Sequence, residues 1–130
     1  MKHLLPLDAW SLLQAQKDAL FLDVRMEIES LYVGRPPGVH NIPWYEYPEL
    51  IPHPQIFVAA VEREALRKDR PIVLICRSGQ RTVHAGQALE AAGFSDVVNV
   101  LHGFEGDLDA NFKRSTLNGW RRDGLPWEQM

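Results

Sequence analysis

The run Pro71-Ile72-Val73-Leu74-Ile75 constrains the fold of this chain more than any other segment, because it is apolar throughout and rich in β-branched residues. A strand that is apolar at every position is buried on both faces, which is typical of a parallel sheet covered by helices. A short polar loop and an amphipathic helical pattern follow this run. The order strand, loop, helix predicts an α/β protein.

The alternation of helices and strands continues along the rest of the chain. Apolar periodicity predicts helices over 8–16, 55–67 and 81–92, and apolar runs predict strands over 19–25 and 97–101. We expect Asp8 to be the N-cap of the first helix, with Leu7 and Leu12 forming a hydrophobic staple across it. Gly93 is expected to end the third helix in the left-handed conformation, with Phe94 packed behind it.

Two stretches lack such periodicity. Residues 34–54 hold six of the nine prolines, which predicts an ordered loop rather than a helix or a central strand. From Gly103 onward the pattern is less regular, and we expect Trp120, Leu125 and Trp127 to pack the tail onto the body. The chain has no repeat, low-complexity tract or linker, so one domain is expected over residues 1–130.

The composition indicates a globular protein, with 45% apolar and 24% charged residues. A net charge of −3 argues against nucleic acid or an anionic membrane as the main partner. No apolar stretch approaches the roughly 20 residues of a membrane helix. Pro6 and Asp8 interrupt the apolar amino terminus, which makes it a poor signal peptide. We therefore expect a cytoplasmic protein.

The chain contains one cysteine, Cys76, which excludes an internal disulfide and any site with several thiolate ligands. Cys76 begins the loop Cys76-Arg77-Ser78-Gly79-Gln80-Arg81, between the apolar strand and the next helix. Ligands of open α/β sheets bind at this edge, where the unpaired amides of a helix N-terminus favour negative charge. A thiol placed there should lose its proton readily and act as a nucleophile.

The residues around Cys76 support the interpretation of Cys76 as a nucleophile in an anion-binding loop. Gly79 lets the backbone curl so that successive amides form a nest for an anion. Arg77 and Arg81 add two permanent positive charges, although either could also be a solvated surface residue. By itself, a lone cysteine after an apolar strand is usually a small buried hydrophobe. The five polar or small residues that follow favour the functional interpretation.

Four features of the sequence together resemble the rhodanese family over residues 5–104. They are Asp23-Val24-Arg25, the segment Gly34 to Pro43, the loop Cys76 to Arg81, and Ala91-Ala92-Gly93-Phe94. Two departures stand out: Arg35-Pro36 replaces the family's His-Ile, and residues 105–118 look like an insertion before Gly119-Trp120.

The resemblance implies a five-stranded, mainly parallel sheet with helices on both faces, and a sulfurtransferase. Cys76 would carry the transferred sulfur as a persulfide, and residues 77–81 would bind an anionic donor such as thiosulfate. The acceptor would be cyanide, a small thiol or a protein thiol. Neither a metal nor an organic cofactor is expected.

Two alternatives use the same cysteine. One is a persulfide carrier or binding module that does not turn over. The other is a phosphatase or arsenate reductase, whose loops typically have the spacing Cys-x5-Arg; here position 82, where that arginine would fall, is Thr82. We expect Asp23 and Arg25 to form a structural ion pair or capping set, and His84 to be solvated or packed rather than paired with Cys76.

Overall fold

Five strands and three α-helices alternate along the chain, which the computed structural model describes over residues 1–130. The strands are β1 Lys2–Leu4, β2 Leu20–Asp23, β3 His40–Asn41, β4 Ile72–Ile75 and β5 Val97–Val100. The α-helices are α1 Pro6–Ala15, α2 Pro54–Ala65 and α3 Arg81–Ala91, and a π-helical turn covers Glu29–Val33. None of these helices has both the length and the apolar composition that crossing a membrane requires.

The strands form one sheet in the order β1-β5-β4-β2-β3, and every pairing is parallel. This confirms the expected five-stranded parallel sheet. Strand β4 lies at the centre and is completely buried, as its unbroken apolar sequence predicts. Asp23 of β2 pairs with Ile75 of β4, so the loops that follow these two strands leave the sheet side by side.

Both faces of the sheet are covered by other parts of the chain. Successive side chains of each strand point to opposite faces, so the strands contribute to two separate cores. One core joins strand residues such as Leu22 and Leu74 to the inner sides of α2 and α3. The other core joins Phe21, Val73 and Val100 to α1 and to the carboxyl-terminal tail. The helices α2 and α3, which apolar periodicity predicted, therefore each bury an apolar face.

The predicted start of α1 is wrong. The helix begins at Pro6, its N-cap is Leu5, and no side chain caps it. Proline fits the first helical position because its fixed φ is already helical and it has no amide to satisfy. Asp8 lies in the first turn instead, and Leu7 is exposed, so the expected staple does not form.

The predicted end of α3 is confirmed. Gly93 has φ +101°, and its amide donates to Glu90 while the amide of Phe94 donates to Leu89. These two hydrogen bonds are those of a Schellman motif. Phe94 is buried behind the turn, which fixes the direction in which the chain enters β5.

Three short elements had no clear signal in the sequence. Strand β1 has only three residues and is mostly exposed, and β3 has only two. The π-helical turn at Glu29–Val33 is the next element after β2 and begins with a carboxylate. Each is defined by contacts with distant parts of the chain rather than by a local pattern.

The carboxyl-terminal tail returns to the sheet, as its aromatic residues predict. Trp120 is fully buried and packs edge-on against Trp10 and at a tilt on Phe21. Leu125 is also buried, whereas Trp127 is 41% exposed and lies against Phe104. The tail therefore completes the core on the α1 side of the sheet.

Residues 105–118, which look like an insertion in the sequence, form a loop with its own hydrogen bonds. Asp109 accepts hydrogen bonds from the amides of Asn111 and Lys113 and from the hydroxyl of Thr116. The amide of Lys113, the hydroxyl of Thr116 and the amide of Asn111 together hold the pKa of Asp109 below its usual range. The base of the loop is tied to Glu105, whose carbonyl accepts from the amide of Ser115.

Candidate active site

The sulfur of Cys76 lies inside the loop that follows β4. Cys76 is 1% exposed, and its Sγ accepts a hydrogen bond from the amide of Gly79 at 3.2 Å. The hydroxyl of Thr82, which is fully buried at the start of α3, lies 3.5 Å from the same sulfur. Gly79 has φ +94°, a conformation that glycine adopts without strain, and this curls the loop back over the cysteine.

Several backbone amides of the loop have no partner within the protein. The amides of Ser78, Gln80 and Arg81 donate to no carbonyl or side chain. They precede or begin α3, where the first amides of a helix are left unpaired and carry its positive dipole. The loop therefore presents hydrogen-bond donors and positive potential next to a sulfur atom, which suits an anion.

Arg81 is held by a carboxylate that lies far away in the sequence. Its Nη1 and Nη2 donate to the two carboxylate oxygens of Glu29 at 2.7 and 2.9 Å. The side chains of Arg81 and Glu29 are 12% and 13% exposed, and the ring of Tyr45 lies 5.2 Å from the guanidinium carbon. Arg81 is thus a fixed part of the wall beside the loop.

The charges of this pair stabilise each other. Burial acts to raise the pKa of Glu29, but the hydrogen bonds and charge of Arg81 outweigh it and hold the pKa below its usual range. Burial acts to lower the pKa of Arg81, and the hydrogen bonds and charge of Glu29 reverse this and raise it. Both groups are therefore charged at neutral pH.

Arg77 has a different environment. It is exposed, and its side chain makes no ion pair. The family resemblance places both Arg77 and Arg81 among the residues that would bind an anionic donor. The structure leaves the guanidinium of Arg77 free at the outer side of the loop, whereas that of Arg81 already has a carboxylate partner.

The loop rests on the segment that follows β5. The amide of Phe104 donates to the carbonyl of Cys76 at 2.7 Å, and the amide of Glu105 donates to the carbonyl of Arg77 at 2.9 Å. A Cβ at Gly103 would collide with the carbonyl oxygen of Cys76, so this close approach needs glycine. The backbone of residues 103–105 therefore packs directly against the Cys76 loop, and two hydrogen bonds fix its position.

Asp23 and Arg25 form the structural ion pair that we expected. Both are fully buried, and Arg25 donates from Nε and Nη2 to the two carboxylate oxygens at 2.9 and 2.7 Å. Nη2 also donates to the carbonyl of Gly34, and the guanidinium lies over the ring of Phe104. The pair joins the end of β2 to the segment beneath the active-site loop.

The structure gathers all six predicted site residues in one loop, Cys76 to Arg81, and adds three that the sequence analysis missed. Glu29, Thr82 and Gly103 contact this loop from the π-helical turn, α3 and the segment after β5. His84 is exposed and makes no hydrogen bond with Cys76. No cluster of three or more His, Cys, Asp or Glu side chains is placed to hold a metal ion.

Comparison with known proteins agrees with this arrangement. The family model of the rhodanese-like domain matches residues 6–110. This chain belongs to the rhodanese-like domain family. The expected resemblance and fold are therefore confirmed, and they point to a sulfurtransferase-type family.

Two solved structures illustrate the rhodanese-like fold. The crystal structure of Rv0390 from M. tuberculosis is 34% identical, with a TM-score of 0.87, and the alignment covers 100% of this chain and 98% of that one. The polysulfide-sulfur transferase homodimer from Wolinella succinogenes is 23% identical, with a TM-score of 0.68, covering 100% and 80% of the two chains. At the lower identity the similarity shows the fold alone.

Among curated proteins, the uncharacterized protein RP600 from Rickettsia prowazekii is 32% identical over 60 residues. The alignment covers 46% of this chain and 43% of the Rickettsia protein. The chain thus matches less than half the length of that relative.

Proposed function

We propose that this rhodanese-like protein is a sulfurtransferase that carries a sulfane sulfur on Cys76. The observation that carries the proposal is the Cys76 sulfur enclosed by a loop whose amides at Ser78, Gln80 and Arg81 have no partner within the protein. Such amides suit both the charge of an anionic donor and that of a persulfide. The Wolinella protein of the same fold is a polysulfide-sulfur transferase, which favours sulfur as the transferred element.

The reaction takes place in two displacements. The Cys76 thiolate attacks the outer sulfur of thiosulfate, and the bond from that sulfur to the sulfonate sulfur breaks. Its electron pair leaves with sulfite, and Cys76 becomes a persulfide. Cyanide or a thiol then attacks the outer sulfur, and the electron pair of the S–S bond returns to Cys76 as the thiolate.

The backbone amides and the two arginines of the loop have separate roles in this scheme. The free amides of Ser78, Gln80 and Arg81 hold the donor anion, while the free guanidinium of Arg77 attracts it. Glu29 holds Arg81, and Arg81 in turn fixes the start of α3 beneath the loop. The lone thiol needs a reducing compartment to stay available, which is why we propose a cytoplasmic location.

Mass spectrometry of the intact protein tests the proposal. After brief incubation with thiosulfate and desalting, the mass should rise by one sulfur atom. Cyanide should remove this sulfur as thiocyanate, and Cys76→Ser should never acquire it. An unchanged mass with thiosulfate, mercaptopyruvate and glutathione persulfide would contradict sulfur transfer.

The same preparations separate the alternative functions. Repeated thiocyanate formation from thiosulfate and cyanide, well above that of Cys76→Ala, distinguishes an enzyme from a carrier that is loaded only once. Hydrolysis of a chromogenic phosphate ester that depends on Cys76 would favour a phosphatase instead. The loop spacing, with Thr82 at the position of the phosphatase arginine, predicts no such hydrolysis.

A further inference from the structure

A shallow apolar pocket of about 320 Å³ lies beside the active-site loop, on the segment between β3 and α2. Its lining includes the exposed side chains of Tyr47, Ile51 and Ile56, which are 73%, 56% and 68% exposed. Large apolar side chains exposed together, rather than singly, are typical of interaction sites. We call these residues, together with Tyr45, Glu46 and Glu49, the 45–56 surface.

The 45–56 surface is acidic as well as apolar. The chain has no Lys or Arg between Pro36 and Glu62. Glu46 and Glu49 line the pocket, and neither forms an ion pair with Lys or Arg; the nearest imidazole to Glu49, that of His53, is 3.9 Å away. The surface therefore carries negative charge that no lysine or arginine of this chain neutralises.

Most acidic side chains elsewhere in the molecule have a cationic partner. Asp18 pairs with Arg67, Glu62 with Lys68 and Glu128 with Arg35. At the 45–56 surface, by contrast, the Glu46 carboxylate accepts only the backbone amides of Glu27 and Tyr47. These hydrogen bonds fix the carboxylate in place without cancelling its charge. A rigid uncompensated charge favours binding of the opposite charge.

The 45–56 surface is continuous with the active site. The ring of Tyr45 lines the pocket on one side and lies over the guanidinium of Arg81 on the other. Trp44, the neighbouring residue, belongs to the same buried cluster as Cys76. A chain bound on this surface therefore lies next to the loop that would carry the sulfur.

We propose that the 45–56 surface binds the protein that accepts sulfur from Cys76, through a segment of that protein bearing lysine or arginine next to apolar side chains. The inference rests on the proposed sulfur transfer and names the class of its acceptor. Apolar side chains of the segment fill the pocket between Tyr47, Ile51 and Ile56. Its cations face Glu46 and Glu49.

The transfer to such an acceptor is a balanced thiol exchange. A cysteine thiolate of the bound segment attacks the outer sulfur of Cys76–S–SH. The bond between the outer sulfur and Sγ breaks, and its electron pair returns to Sγ as the thiolate. The segment leaves as a persulfide, so no oxidant or reductant is needed.

Binding is tested with synthetic peptides and the Cys76→Ser protein, which removes sulfur chemistry from the measurement. The first probe is a short fluorescein-labelled peptide of alternating lysine and leucine. The second has glutamate in place of lysine, and the third has serine in place of leucine. Fluorescence anisotropy should show binding of the first peptide only, weakening as salt is added.

Two substitutions on the surface and two controls locate the binding. Glu49→Lys and Ile56→Ser should each weaken binding of the lysine–leucine peptide by about tenfold, from lost charge attraction and lost apolar burial. Asp69→Lys and Leu66→Ser change exposed residues beyond the other end of α2, and Leu66 lies about 15 Å of helix rise after Ile56. These controls should bind the peptide as the unsubstituted protein does.

Sulfur transfer is then measured with the same peptide carrying one cysteine, on protein loaded with thiosulfate. Glu49→Lys and Ile56→Ser should slow transfer to this peptide by about tenfold while leaving transfer to cyanide unchanged, because cyanide needs no docking surface. Failure to load Cys76 would contradict the proposed function, and the anisotropy measurement would still decide the docking surface.

Three outcomes would overturn the inference. One is equal binding of the lysine–leucine peptide and the glutamate–leucine peptide. Another is unchanged binding in both Glu49→Lys and Ile56→Ser. The third is a dimer of this chain in sedimentation that Ile56→Ser dissociates, because a second copy would then occupy the surface.

Discussion

Two carboxylate–guanidinium pairs have carboxylates close together in the chain, Asp23 at the end of β2 and Glu29 in the π-helical turn that comes next, and the environments of the two pairs differ. The Asp23–Arg25 pair is local in sequence and fully buried. The Glu29–Arg81 pair joins residues 52 apart, and a little of each side chain reaches solvent. Both have two parallel hydrogen bonds between guanidinium and carboxylate, so geometry alone does not separate their roles.

The difference lies in what each pair holds. Asp23–Arg25 joins the end of β2 to Gly34 and Phe104, which belong to the framework of the fold. Glu29–Arg81 joins the π-helical turn to the start of α3, directly after the loop of Cys76. Removing the first pair should therefore cost mainly stability, and removing the second should cost mainly activity.

The largest effect is expected for Asp23→Asn, which leaves the charge of Arg25 buried without a counter-ion. We expect a loss of about 3–5 kcal/mol in the free energy of unfolding. Urea denaturation followed by tryptophan fluorescence measures it. Asp18→Asn is the matched control, because Asp18 and its partner Arg67 are about half exposed and should contribute at most about 1 kcal/mol. Equal losses in the two variants would remove the distinction between a buried and an exposed pair.

Glu29→Gln is expected to have a smaller effect on stability and a clear effect on the reaction. Loss of the charge-assisted hydrogen bonds should lower kcat/KM for thiosulfate, by a factor that corresponds to about 1.5–3 kcal/mol of activation free energy. If Arg81 acts by holding the loop, Arg81→Ala should cause a similar loss, and the double variant should be no worse than either single variant. Additive losses would instead show that Arg81 contacts the donor independently of Glu29.

The pH dependence of stability gives a second test of the Glu29–Arg81 pair. The pKa of Glu29 lies below its usual value of 4.5, so its contribution is fully present above that value and is lost as pH falls through the lowered pKa. The stability difference between the unsubstituted protein and Glu29→Gln should therefore be constant near neutral pH and shrink in acid. Urea denaturation over a pH series measures this, and a difference that grew in acid would be inconsistent with a lowered pKa.

The smallest effect is expected for Arg77→Ala. Arg77 is exposed and makes no ion pair, so stability should not change. Its charge should attract the anionic donor. At low salt its removal should lower kcat/KM for thiosulfate by a factor that corresponds to about 0.2–1 kcal/mol of activation free energy. Added salt should abolish the difference between Arg77→Ala and the unsubstituted protein. A salt-independent loss would show that Arg77 binds the donor directly.

The sequence by itself determined the main elements and placed Cys76 in the loop between β4 and α3. The all-apolar run of β4 is typical of a strand buried on both faces, and the polar loop and helix pattern after it place Cys76 at the carboxyl edge of a parallel sheet. The sequence also predicted the end of α3 at Gly93, since only a residue in the left-handed conformation lets the Schellman hydrogen bonds form. These are local effects, expressed over a few neighbouring residues.

The tertiary structure alone decided what surrounds the cysteine. Glu29 reaches Arg81 because β2 and β4 pair in parallel register and bring their following loops together. Gly103 meets Cys76 because β5 lies next to β4, and the pocket at Tyr47 and Ile56 depends on how residues 42–53 cross to α2. Such contacts join residues far apart in the chain, so no local periodicity or spacing could indicate them. The start of α1 is the exception, because the fixed φ of Pro6 is a local feature that favours this residue as the first of the helix, whereas a preference for capping residues places the start at Asp8.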